Sequence, residues 1–261
     1  MLSRDNRPDE AVAVFQQGLD AGLWWAEETF ADPDLEAVRD LPEFKRLVSV
    51  SKEKHERAQG SIERDQTVLV PEPPPSGKYP LLIVLHGHHG DKNVHIQQWE
   101  AARQRGWLVL SVQSTQALFP GAYHWDDPAR GLADLQFYYE QIAQNYRIDP
   151  QRILLGGFSQ GSGMAIYTAL KGNLPARGFI GIGTWWEDAS DLDVEGKPVR
   201  GYFITGERDH TLDRAREIHD VLRRNNVPFG EETHPELGHD FSADFGSSFD
   251  KAIEFIFREQ E

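Results

Sequence analysis

Cysteine is missing from all 261 residues, which excludes disulfides, thiolate metal sites and cysteine nucleophiles. Basic side chains are scarce beside acidic ones: 27 Lys and Arg stand against 42 Asp and Glu, a formal net charge of −15. Such a surface repels phosphate backbones and anionic lipid, so nucleic acid is not an expected partner. Long hydrophobic runs are lacking too. No uninterrupted apolar stretch approaches the about 18 residues that would cross a bilayer. The opening Met1 to Glu10 is polar and charged, without the apolar segment of a secretory signal. The expectation is a soluble, cytoplasmic protein with no membrane span. Apolar residues make up 39% of the chain, enough for one sizeable core and a small appendage.

What is present changes texture along the chain. Residues 1–58 read as a helical segment: Ala11, Val14, Phe15 and Leu19 recur at helical spacing. Asp32 before Pro33 has the form of an N-cap with a first-turn proline, and Pro42 opens a third candidate helix. The stretch 71–78, PEPPPSGK, is too rich in proline for a helix or a central strand and reads as a loop. From Tyr79 onward, short apolar runs (PLLIVL, WLVLSV, RILLGG, GFIGIG, GYFITG) alternate with amphipathic helical stretches. That alternation predicts a mostly parallel sheet flanked by helices on both faces, over residues 59–261. Ligands of such sheets bind at the carboxyl ends of the strands.

One short stretch carries the chemistry. Gly157-Phe158-Ser159-Gln160-Gly161 fits G-x-S-x-G and lies between an apolar run and a helical one. On the sharp turn this motif makes, glycines two before and two after keep strand and helix from colliding, and the serine hydroxyl projects from the sheet edge. A serine needs a base to take its proton, and the order Ser, Asp, His is the one this kind of sheet uses. Asp209 follows the run GYFITGE, and His239 lies in LGHDF after VPFGEETH. Two backbone N–H groups to hold an oxyanion are assigned to Gln160, directly after the serine, and to His88 in the loop His86-Gly87-His88-His89-Gly90.

The GFSQG elbow together with LHGHHGD resembles the α/β-hydrolase superfamily, and most nearly its phospholipase/carboxylesterase branch with the acyl-protein thioesterase-like enzymes. The resemblance covers roughly residues 65–258. It implies an α/β-hydrolase fold and hydrolysis of small-molecule carboxylic esters or thioesters, with no cofactor. His88-His89 departs from the small or aliphatic residues more usual in that loop. The first 58 residues resemble the final helices of a tetratricopeptide-type array, although such arrays need about three repeats and there is no room for them here. These helices are the surface through which a homodimer or a protein partner would form.

Blander readings stand beside each assignment. Ser159 has the alternative of a simple helix cap. His239 competes with His210 and His234, and Asp209 with Glu207, Asp213 and Asp188. His86, His88, His89 and His95 have spacings that match no familiar ligand set, so no metal is expected. His89, Trp125, Trp185 and Phe241 are the candidates to line a substrate pocket, with core packing the alternative for the aromatics. Trp24, Trp25 and Phe30 read as glue between the N-terminal helices and the main domain. A serine peptidase on the same fold, or an inert scaffold that binds a partner through its N-terminal helices, are the competing functions.

Overall fold

The computed structural model describes residues 7–73, 77–172, 174–192 and 198–258. Residues 74–76 of the proline-rich loop and residues 1–6 of the polar opening lie outside the described set. The chain divides into two units, Met1–Glu63 with Thr115–Tyr123, and Arg64–Ser114 with His124–Glu261.

The second unit is built on a sheet. Its strands are β1 (Gln66–Leu69), β2 (Tyr79–Leu85), β3 (Leu108–Val112), β6 (Ile148–Phe158), β7 (Gly178–Ile182), β8 (Arg200–Gly206) and β9 (Phe229–His234), with a separate hairpin, β4 (Gln116–Phe119) and β5 (Ala122–His124), between β3 and β6. The order is β1-β3-β2-β6-β7-β8-β9. Only β1 runs antiparallel to its neighbour in this sheet. The helices are α4 (Ile96–Gln104), α5 (Pro128–Asn145), α6 (Gln160–Lys171), α7 (Leu212–Arg224) and α8 (Phe245–Phe257).

The continuous apolar run of β2 is explained by burial on both faces. Successive side chains of a strand point to opposite faces. Leu81, Ile83 and Leu85 join a core that includes Leu135 and Tyr138 of α5, Met164 of α6 and Leu222 of α7. Leu82 and Val84 join the opposite core with Trp99 of α4 and Phe249 of α8. Asp127 caps α5 by accepting from the N–H groups of Ala129 and Arg130 at 3.0 and 3.1 Å, with Pro128 in the first turn where its missing N–H costs nothing.

The first unit contains α1 (Pro8–Asp20), the one-turn α2 (Glu36–Arg39) and α3 (Pro42–Gln59). Val14 does not belong to the buried face of α1: it is 54% exposed, whereas Leu19 is buried. The apolar line is Ala11, Phe15 and Leu19, at steps of four, and Val14 falls a third of a turn off it. Trp25 and Phe30 pack inside this unit. Trp25 stacks on Phe15 at 4.5 Å, and Phe30 meets Phe44 edge-on at 6.3 Å. Phe30 belongs to its buried core, and Trp25 packs against that core. The second predicted helix is short: it opens as a 3-10 turn, Pro33–Leu35, with the Asp32 side chain accepting from Asp34 N–H at 2.8 Å, and continues into α2, while another 3-10 turn, Glu27–Ala31, precedes it.

The hairpin β4–β5 is absent from the sequence reading. Its strand β4 lies with the helices: Ala117 O accepts from Gln59 Nε2 at 2.7 Å, and Leu118 O accepts from Ala26 N–H at 2.6 Å. The signal was Pro120-Gly121 between two short apolar runs, with Gly121 at φ 88°. The division therefore falls at Glu63/Arg64, with a second stretch of the helical unit inserted after β3, where the sequence suggested one cut at 58/59.

Candidate active site

Strand register brings the candidate residues to one edge of the sheet. Leu85 lies opposite Gly157, Phe158 opposite Ile182, Ile182 opposite Ile204, and Gly206 opposite His234. The residues that follow these strands, His86, Ser159, Gly183, Asp209 and His239, therefore leave the sheet on the same side.

Ser159 occupies a backbone conformation of φ 53° and ψ −123°. For a residue with a side chain this costs on the order of 1–3 kcal/mol. The turn is enforced by close packing. A Cβ on Gly157 would sit 2.3 Å from the Gly161 carbonyl, and one on Gly161 would sit 2.2 Å from His86 O. No other residue fits either position, which is the physical content of the G-x-S-x-G spacing. Ser159 N–H donates to Ile182 O at 2.8 Å, and its own carbonyl accepts from Ser162 N–H at 3.0 Å. The Ser159 side chain caps nothing. Gln160 opens α6, so its N–H has no carbonyl partner within its own helix and lies at the positive end of the helix dipole.

Asp209 and His239 form a hydrogen-bonded pair. His239 Nδ1–H donates to Asp209 Oδ1 at 2.9 Å and Oδ2 at 3.0 Å. Thr211 adds its N–H and its hydroxyl, both at 2.8 Å from Oδ1. Burial pushes the Asp209 carboxyl up, but the hydrogen bonds from His239 and Thr211 outweigh it and hold the group below the usual carboxylate range. In a neutral ring, Nδ1 donating to a carboxylate leaves the lone pair on Nε2.

Of the other contenders, His210 stands beside the pair, its ring 4.5 Å from that of His239, whereas His234, Asp213 and Asp188 pair elsewhere. His210 is exposed, with Nδ1 3.8 Å from Asp209 Oδ1. His234 Nε2 lies 3.4 Å from Glu232, Asp213 pairs with Arg216, and Asp188 takes the N–H of Ser190.

The pair lies beside the turn that carries the serine. The His239 ring lies 4.6 Å from that of Phe158, the residue before Ser159. Gly183, directly after the carbonyl that holds Ser159 N–H, has φ 52°, and a Cβ there would lie 3.0 Å from both Asp209 Oδ2 and His239 Nδ1. Among the described residues no hydrogen bond joins Ser159 Oγ to His239. Such bonds commonly tighten only with substrate in place.

The histidine loop is a tight turn, closed by Gly90 N–H donating to Gly87 O at 3.0 Å, with His89 at φ 66°. His86 is its anchor. Its Nδ1–H donates to Gly87 O at 2.8 Å and its Nε2 accepts from Ser114 N–H at 3.2 Å. Burial pushes its pKa down to about 4, so the ring is neutral. His95 packs against Phe158 at 4.5 Å. His88 and His89 are in contact, Nδ1 to Nδ1 at 2.9 Å.

Two pocket candidates have other work. Trp125 is fully buried; its N–H donates to Gln160 Oε1 at 2.9 Å and its indole N–H to His86 O at 3.0 Å. It holds the histidine turn to the elbow helix and has no free surface to wall a pocket. Phe241 is buried and stacks on Phe158 at 5.5 Å, backing the ring against which His239 rests. Trp185 is half-buried, with its N–H 3.3 Å from Ser159 O, and His89 is exposed. Sequence reasoning missed Thr211, whose two-residue offset from Asp209 is the spacing of an Asx turn, and Phe158 as the platform for His239.

A mostly parallel sheet flanked by helices on both faces, with a strained serine turn at its carboxyl edge, is the α/β-hydrolase fold, and comparison with known proteins supports this. Residues 136–203, from α5 into β8 and including the elbow, match the phospholipase/carboxylesterase family model. Among solved structures, an uncharacterized protein from Bacillus cereus ATCC 10987 is 26% identical, with a TM-score of 0.64, over 99% of this chain and 85% of that one. A Bacillus cereus carboxylesterase is 15% identical, with a TM-score of 0.57, over 78% of this chain and 99% of that one. Acyl-protein thioesterase 2 of Zea mays is 15% identical, with a TM-score of 0.58, over 74% and 98%. No curated protein sequence matches the chain. Among the described residues no helix is long and apolar enough to cross a membrane.

Proposed function

We propose that this protein is a serine hydrolase that cleaves carboxylic esters or thioesters through an acyl-enzyme. Ser159 attacks the carbonyl carbon while His239 Nε2 takes the hydroxyl proton. Asp209 keeps the imidazole in the acceptor tautomer and stabilises its cationic form. The backbone N–H groups of Gln160 and His88 hold the developing oxyanion. His239 then gives its proton to the leaving oxygen or sulfur, and water, with His239 again as base, releases the acid and frees Ser159. The match to the phospholipase/carboxylesterase model and the carboxylesterase and thioesterase neighbours support this class of substrate.

The observation that carries the reading is a His239 whose Nδ1 is committed to a buried carboxylate, its ring resting on the residue before a strained Ser159. The first experiment is labelling with a fluorophosphonate. The native protein is expected to label and Ser159→Ala to lose all label with its melting temperature unchanged. A folded native protein that fails to label would overturn the proposal. A panel of p-nitrophenyl esters against aminoacyl amides then separates esterase from peptidase.

A further inference from the structure

Outside the Ser159–His239–Asp209 group, a second cluster of ionisable side chains stands at the same edge. His88, His124 and Asp126 each present one ligand atom, and these atoms all lie within 4.8 Å of one another. They come from two loops that the fold ties together. His88 sits on the turn anchored by His86, and His124 ends β5. Asp126 follows two residues later, so in an extended chain it faces the same way as His124. Between them, Trp125 is driven into the core and donates its indole N–H to His86 O. The positions of the three side chains are thus set by a buried aromatic and a buried histidine.

The carboxylate is also oriented from behind. Gln160 Nε2 donates to Asp126 Oδ1, while Oδ2 is paired with His124 Nδ1 at 2.7 Å, a hydrogen bond that a bound ion would replace. A ligand oxygen turned forward by a hydrogen bond to its partner oxygen is the outer arrangement that metal sites use. We infer that His88, His124 and Asp126 form a binding site for a divalent transition-metal ion of the zinc class. Two imidazoles and one carboxylate suit zinc, cobalt or nickel and are poorly matched to magnesium or calcium, which prefer oxygen donors throughout. Three protein ligands leave a fourth position for water or another small ligand. The net charge of −15 favours cation capture at any such site. The inference does not depend on the hydrolase reading.

The test uses the full chain after treatment with a chelator. Zinc is titrated calorimetrically, and cobalt is followed by its visible absorption. One equivalent is expected to bind, with the intense cobalt bands of a low-coordinate site. His88 is exposed, so His88→Ala removes a ligand without threatening the fold. It and Asp126→Asn are each expected to weaken zinc binding by at least about 100-fold, above the 10–100-fold typical of losing an outer partner. His210→Ala is the control for the neighbouring group of Asp209, His210 and His239 and should leave the affinity unchanged. Binding that survives His88→Ala and Asp126→Asn, or that disappears in His210→Ala, would overturn the site. So would magnesium competing at equal concentration.

Discussion

The two units of this chain solve the problem of burial differently. The helical unit has a compact aromatic core of Phe30, Val38 and Phe44, with Phe15 and Trp25 packed against it. The sheet unit has two cores, one on each face, and β2, β3, β7 and β8 are buried along nearly their whole length. The comparison shows where chemistry can be held. Ser159, Asp209, His239 and both assigned oxyanion donors belong to the sheet unit, because hydrogen-bonded strands in fixed register hold loop residues at reproducible distances. In the helical unit, the polar pairings inside the core serve the fold: Ser51, fully buried, accepts Trp25 N–H at 2.8 Å and donates to Trp25 O at 3.1 Å.

The sharpest way to break the comparison is at the site. Asp209→Asn would leave an amide that can turn its N–H₂ toward His239 and favour the wrong tautomer. The expected loss in kcat is about 10³–10⁴-fold, with the unfolding midpoint close to native. Steady-state kinetics on a p-nitrophenyl ester measures this, and near-native kcat would remove Asp209 from the mechanism.

Next come paired truncations, one in each core. Phe44→Ala and Phe179→Ala each delete a fully buried ring, at an expected cost of about 3–5 kcal/mol. Hydrogen exchange should locate the damage in α1 and α3 for the first and in β7 and α6 for the second. Fluorophosphonate labelling of folded Phe44→Ala is expected to proceed at the native rate. Exchange spread evenly over both units would contradict the division into two units.

Acid should act on the sheet unit. Burial pushes both His86 and His219 down to about 4, whereas the unfolded chain protonates them near about 6.5. The unfolded state therefore binds more protons in this window. Stability is full above about 6.5, declines as pH falls, and levels off near 4, by up to about 3 kcal/mol for each histidine. Denaturant unfolding from pH 7 to pH 4 should show that slope, reduced by about half in His219→Leu. An unaltered slope would mean that His219 does not contribute.

The smallest expected effect is Ser51→Ala in the helical unit, which strands the Trp25 N–H and carbonyl. A loss of about 1–2 kcal/mol is expected, visible in the thermal unfolding of the helical unit, with ester hydrolysis unaffected.

Much of this could be read directly from residue order. The strand–helix alternation, the Asp127–Pro128 start of α5 and the glycines at 157 and 161 are local statements, because periodicity, capping and close approach act over a few residues. The assignment of Ser159, Asp209 and His239 rested on motif and order, and the strand register is what puts Asp209 against His239. Other features depended on contacts between residues far apart in the chain, which no local pattern reports. The fall of Trp125 into the core, between His86 and Gln160, is one. The service of Phe158 and Phe241 behind His239 is another. The hairpin at 115–123 joined the helices through carbonyls that accept from Ala26, His55 and Gln59. The meeting of His88 with His124 and Asp126 depended on two loops being tied together. Residue order carried most of the elements and all of the chemical groups; which groups meet was left to the folded chain, because hydrogen-bond partners and burial are properties of position in space.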